Sequence, residues 1–284
     1  MIRIPRGPYS YAYDGSTGKL ATLTAPDGGT LAYTYDGFLP LTETSSGMIS
    51  GTVGRTYNTD FRVTELAVNA DAVSFGYDDD GLLTQAGALT LTCDPQHGLI
   101  TGTALGTVTT ARGYNGFGEL ARDSASFGAT PLYDVTYTRD QLGRIIEKTE
   151  TVEGSTTTYG YTYDLAGRLE TVQEDGTPVA TYTYDANGNR LSKTTPSGTE
   201  TGTYDGQDRM LTYGDASYAY TANGELATKT VGGQTTTYHY DVLGNLITVD
   251  FRDGTPIEYL IDARNRRIGK RVNGALVQGF LYQD

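Results

Sequence analysis

Short runs in which every second residue is aromatic or aliphatic end on a polar residue, and this arrangement recurs from one end of the chain to the other. Tyr161-Thr162-Tyr163-Asp164 and Tyr238-His239-Tyr240-Asp241 are two clear copies. Residues two apart share one face of a strand, so the paired rings point one way and the residue between them the other. No segment sustains the 3.6-residue apolar period of an amphipathic helix. The pattern therefore predicts an all-β protein with negligible helix.

The closing polar residues set a register. Asp14, Asp36, Asn58, Asp78, Asp94, Asn115, Asp140, Asp164, Asp185, Asp205, Thr221, Asp241, Asp262 and Asp284 follow one another at a mean spacing of about 21 residues. Tyr directly precedes ten of these fourteen anchors, and an aromatic residue stands three before nine of them. Gly stands three after seven, and an aliphatic residue or Met five after ten, while Leu20, Leu191 and Ile268 come one position later. Four columns in one register mark a tandem repeat.

Each column has a physical reading. The anchor carboxylate accepts backbone N–H groups of the turn that follows, the Gly supplies that turn's positive φ, and the aliphatic residue opens the return strand. A second Gly turn, such as Asp175-Gly176 or Gly232-Gly233, closes most units. One unit is one hairpin. The residues expected to define it are Tyr161, Tyr163, Asp164, Gly167, Arg168 and Leu169 in one copy; Tyr182, Tyr184, Asp185, Gly188 and Leu191 in the next; and Tyr238, Tyr240, Asp241, Gly244 and Leu246 further on. Residues 1–284 read as a single continuous array of about 14 units with no separate domain, irregular between roughly 42 and 129. About 27 strands at roughly 4.8 Å each would extend on the order of 130 Å, and accumulated twist makes a flat sheet of that length unstable. The array is expected to coil into a β-spiral or solenoid-like shell.

Composition agrees: Trp is absent, and 37 Gly accompany 46 Thr and 23 Tyr, a recipe for strands and turns. The formal charge of −13 disfavours nucleic acid and anionic membrane surfaces as partners. No stretch approaches the roughly 20 apolar residues of a membrane span, and Met1 to Ser10 has no apolar signal-peptide core. Cys93 is the sole cysteine, so the fold must stand without an internal disulfide.

Candidate chemistry is sparse. Cys93 and His97 have the spacing of a nucleophile and its base, but Cys93 occupies the column normally held by Tyr and His97 the turn behind it. Asp185-Ala186-Asn187-Gly188-Asn189 opens like a calcium loop, yet Arg190 stands where such a loop needs Gly and Pro196 where it needs Glu. Asp78-Asp79-Asp80-Gly81 reads as a solvated turn. Arg144, Arg168 and Arg190 follow the turn and are expected to pair with Asp or cover Tyr rings. No catalytic residue, cofactor or metal is expected.

The strings Tyr161 to Leu169 (YTYDLAGRL) and Tyr182 to Leu191 (YTYDANGNRL) resemble the YD repeat of Rhs proteins, and the resemblance covers nearly the whole chain. The same repeat builds shells in bacterial Rhs toxins, insecticidal toxin complexes and teneurins, where a spiral sheet surrounds a hollow and can sequester a C-terminal toxic polypeptide. Phe280 to Asp284 resemble the repeat that precedes the conserved core of that family, whose self-cleavage motif contains Asp-Pro. The one Asp-Pro here, Asp94-Pro95, sits mid-array, so the protease function is not carried over.

The resemblance implies a non-enzymatic shell or scaffold segment that encloses or displays a polypeptide. Its partners would be that cargo or adjoining shell segments, and its setting extracellular or at the cell surface, as part of a larger exported protein. The alternative is an adhesion module that binds glycan or protein through the Tyr-rich sheet. The terminal strands, Tyr9 to Asp14 and Phe280 to Asp284, are expected to offer open edges for self-association.

Overall fold

The computed structural model describes residues 7–282; the Asp284 anchor lies outside them. Within them the chain forms 27 strands, from Ser10–Tyr13 to Ala275–Gly279, in a single 27-stranded sheet. No helix occurs among the described residues. The pairings run antiparallel between strands that are consecutive in the chain, including through the irregular stretch, as Gly51–Tyr57 with Val63–Val68 and Leu89–Cys93 with Ile100–Leu105.

The anchor turns explain the register. In the unit of Asp164 the anchor N–H donates to the Arg168 carbonyl (2.9 Å) and the Gly167 N–H to the anchor carbonyl (2.9 Å). This tight loop needs positive φ at its fourth residue, and Gly167 supplies it at +82°. Phe61, Asp208 and Asn265 adopt the same conformation at +60 to +62°, so loop geometry prevails over residue preference there. One residue before each anchor within the described residues the register slips by a bulge, as between Thr162 and Tyr163. In consequence Leu169 pairs with Tyr163 and Leu246 with Tyr240, whereas Arg190 takes that place opposite Tyr184. Leu191, expected to open its return strand, instead falls in the bulge and is exposed.

The two sheet faces differ as the alternation predicts. The face away from the Tyr column carries cross-strand hydroxyl pairs, among them Thr34 with Thr42 (2.6 Å), Thr183 with Ser192 (2.6 Å) and Thr203 with Thr212 (2.7 Å).

The chain divides into two compact units. One comprises Phe75–Gly214. Among its residues only Val135, Ala180 and Gly202 are buried, so it is a sheet one layer thick in which rings and stems cover one another.

The other unit comprises Met1–Ser74 with Asp215–Asp284, and here the first and last hairpins of the array pack together. Ala263, in the turn after Asp262, is buried with Leu23, Ala25 and Leu31, and Tyr9 and Tyr33 pack against this cluster. Gly279 lies against Ile49 so closely that a Cβ there would stand 2.9 Å from its Cδ1. Arg266 joins the buried carboxylates of Glu43 and Asp262, the latter at 2.7 Å. The strands Ser10–Tyr13 and Ala275–Gly279 each pair along one edge and are exposed throughout.

Candidate functional site

The chemistry of this chain is concentrated in a junction repeated between successive hairpins. Its first component is the anchor. Asp164 Oδ1 accepts the N–H groups of Ala166 and Arg168 (2.9 Å each), and Oδ2 accepts Arg168 Nε at 2.7 Å. The N–H of Arg168 is the largest influence on the Asp164 carboxyl; desolvation opposes it, and the Arg168 guanidinium and the Ala166 N–H add to it, so the carboxyl is held below the usual carboxylate range. The arrangement recurs at Asp140 with Arg144, Asp205 with Arg209 and Asp262 with Arg266. Asp185 and Asp241 use Asn189 and Asn245 in the same way.

The partner four residues on changes with the anchor. Where the anchor is Asn115 or Thr221, each a donor, the partner is an acceptor, Glu119 or Glu225. The two positions form one hydrogen-bonding unit of either polarity. The sequence reading assigned the anchor's role but missed this coupled column, although from Asn115 onward it is visible in the sequence as Arg or Asn four after each described Asp anchor and Glu four after Asn115 and Thr221.

The second component is the Tyr before the anchor. Its hydroxyl donates to a carbonyl at the start of the preceding unit's return strand: Tyr163 to Ile145 (2.6 Å), Tyr184 to Leu169 (2.8 Å), Tyr204 to Arg190 (2.9 Å) and Tyr114 to Ile100 (2.7 Å). The Arg of the preceding anchor lies over the same ring, Arg144 at 4.6 Å from Tyr163 and Arg168 at 4.7 Å from Tyr184. Arg168 also donates to the Asp185 carbonyl at 2.7 Å. Each Arg thus clips its own turn and covers the next unit's ring, while that ring's hydroxyl reaches back. Arg190 covers Tyr213 (4.8 Å), as a ring-covering role requires.

Two departures from the Tyr column show what the position is for. Arg139 stands there instead of Tyr, and its guanidinium donates to Leu120 O at 2.7 Å, the equivalent carbonyl. Cys93 also stands there, its Sγ 4.0 Å from Leu83 O. Cys93 is therefore a short substitute for Tyr. His97 sits in the following turn, its Nε2 3.5 Å from Asp94 and its ring edge-on to Tyr114 at 6.5 Å. His239, between two Tyr, contacts Asp250 at 2.8 Å. Asp185 accepts from Asn187 N–H and the Asn189 amide within its own turn, and the side-chain amides of Asn187 and Asn189 both donate to Asp208 in the next anchor turn. Among the described residues no group of three or more His, Cys, Asp or Glu is placed to hold a metal ion.

All sixteen residues expected to define the repeat lie in three hairpin units, and the structure links two of those units directly through Arg168 and Tyr184. Tyr161 and Tyr240 are covered enough that burial raises their hydroxyl pKa values. Gly188 and Gly244 hold the positive-φ position of their turns.

The comparisons with known proteins agree with this geometry. Human teneurin-4 is 31% identical over 113 residues, which is 38% of this chain and 4% of teneurin-4, and mouse teneurin-4 matches equally. Crystal structures of TcdB2-TccC3 without its hypervariable C-terminal region and of TcdB2-TccC3-TEV superimpose with TM-scores of 0.61 and 0.59 at 14% identity. Each superposition covers 92% of this chain and 15% of the solved one. The Photorhabdus luminescens Tc holotoxin pore gives 0.50 at 15% identity over 95% of this chain and 16% of that one. The chain thus has the fold of these shells and spans a small part of each relative's length. The teneurin YD-shell family model matches residues 2–284, so the chain belongs to that family of β-hairpin shells.

Proposed function

We propose that this chain is a stretch of wall that encloses or displays a polypeptide of the same gene product, such as a C-terminal toxin. The carrying observation is that Phe75–Gly214 is one sheet thick, with both faces accessible and its hairpins fastened to one another across unit boundaries, by a Tyr hydroxyl together with an Arg at Asp164 and Asp185, and by the Tyr204 hydroxyl or the Arg139 guanidinium at Asp205 and Asp140. Such a structure separates two spaces instead of surrounding a cleft. The anchor carboxylates, the most regular acidic groups of the chain, are engaged in holding turns, which supports a non-catalytic role. In the reading proposed here, the wall joins adjoining shell segments within a larger protein exported to the cell surface or beyond.

A glycan-binding platform is a weaker match. Stacking on sugars needs free ring faces, and Arg or Lys side chains lie over Tyr159, Tyr163, Tyr184 and Tyr213. The test is protease protection. The full gene product is digested under native conditions beside its isolated C-terminal polypeptide. The proposal expects that polypeptide to survive until denaturant opens the wall. Cleavage at equal rates in the two samples contradicts it.

A further inference from the structure

Consecutive antiparallel strands place all anchor turns along one edge of the sheet and all second turns along the other. In the unit formed by the two ends of the chain, these unlike edges meet. Ala263, in an anchor turn, is buried on Ala25 and Leu31 beside a second turn, and Gly279 lies against Ile49 in the next second turn. This is a packed contact of anchor edge on second-turn edge.

The Phe75–Gly214 unit carries both halves of the same contact without an occupant. Along its anchor edge, Phe117, Leu142 and Leu165 occupy the first or second turn position, the place that Ala263 fills, and all three are exposed by 77% or more. Along its other edge, Leu105, Phe127 and Val152 flank successive second turns and are also exposed. Polar residues are the ordinary choice for such tips, and large apolar ones at three successive anchor turns, spaced about two strands or roughly 9.6 Å apart, form a row instead of scattered exceptions.

We propose that these rows are an interaction surface for a second copy of this chain, the anchor edge of one copy seating on the second-turn edge of the next. The contact is of the same kind as the one already made inside the chain between its own first and last hairpins. Because the two surfaces differ, the association is head-to-tail and open-ended. It is driven by apolar burial and changes little with salt.

Sedimentation velocity over a hundredfold dilution tests this with two variants whose changes lie at exposed positions. One carries Phe117→Ser, Leu142→Ser and Leu165→Ser; the other carries Leu105→Ser, Phe127→Ser and Val152→Ser. Circular dichroism checks that both stay folded. The unaltered chain is expected to grow through successive oligomers with concentration, and each variant alone to remain monomeric. A mixture of the two variants restores one complementary pair of edges and is expected to stop at a dimer. A monomeric unaltered chain at every concentration, variants that associate like it, or a mixture that stays monomeric each overturns the proposal.

Discussion

At the scale of single residues, the Tyr before the anchor does two separable things: it covers neighbouring stems with its ring and donates one hydrogen bond across a unit boundary. Tyr163→Phe keeps the ring and is expected to cost about 1 kcal/mol in a denaturant titration, the value of one hydrogen bond. Tyr163→Ala removes both and is expected to cost roughly 2–4 kcal/mol. Equal losses for the two would show that the ring contributes nothing. The Tyr column was legible in the sequence because alternation and spacing set it. The direction of its hydroxyl was not, since that depends on which carbonyl the previous unit presents after the bulge. Arg139 and Cys93, which look like failures of the motif in sequence, occupy the same place, and Arg139 makes the same bond.

At the scale of the hairpin, the anchor pair and the positive-φ residue decide whether the turn closes. Phe61 is a non-Gly residue at φ +62° with most of its side chain in solvent. Phe61→Gly is expected to raise stability by about 1 kcal/mol, because strain is relieved and no packing is lost; a loss in thermal unfolding would mean that the Phe ring is packed. The coupled columns make a second prediction. Asp164→Asn should lower the unfolding midpoint, and adding Arg168→Glu should recover part of it by recreating the Asn115–Glu119 arrangement. Recovery is partial because Arg168 also covers Tyr184.

The pH dependence belongs to this scale too. Asp164 is held low first by the Arg168 N–H, Asp205 by the Arg209 guanidinium and Asp185 by the Asn189 amide. A depressed folded-state pKa contributes stability that is present above the unfolded value of about 3.9 and disappears as pH falls through the folded value. The melting midpoint should therefore decline below about pH 4. In a chain carrying Asp164→Asn and Asp205→Asn the decline should be smaller; an identical decline would assign the acid sensitivity to other groups.

At the scale of the molecule, the sequence carried the fold class and the number of hairpins, because both follow from local periodicity. It did not carry the meeting of the first hairpins with the last, which depends on twist accumulated over many strands. The residues that make this contact, Glu43 and Arg266 among them, are separated by more than 200 positions and fall in no repeated column that names them as partners. Their ion pair is buried, with Glu43 only 6% exposed. Glu43→Ala leaves Arg266 with one carboxylate fewer and is expected to cost about 3–5 kcal/mol, whereas replacing both residues with apolar ones of similar volume is expected to cost much less. A double replacement as damaging as the single one would show that the charges themselves are required.

Electron cryomicroscopy of the full gene product tests the central claim most directly. The account predicts that this stretch appears as one continuous wall of hairpins, with density for the remaining polypeptide lying against one of its faces. A wall with solvent on both faces and that polypeptide folded apart from it would contradict the account.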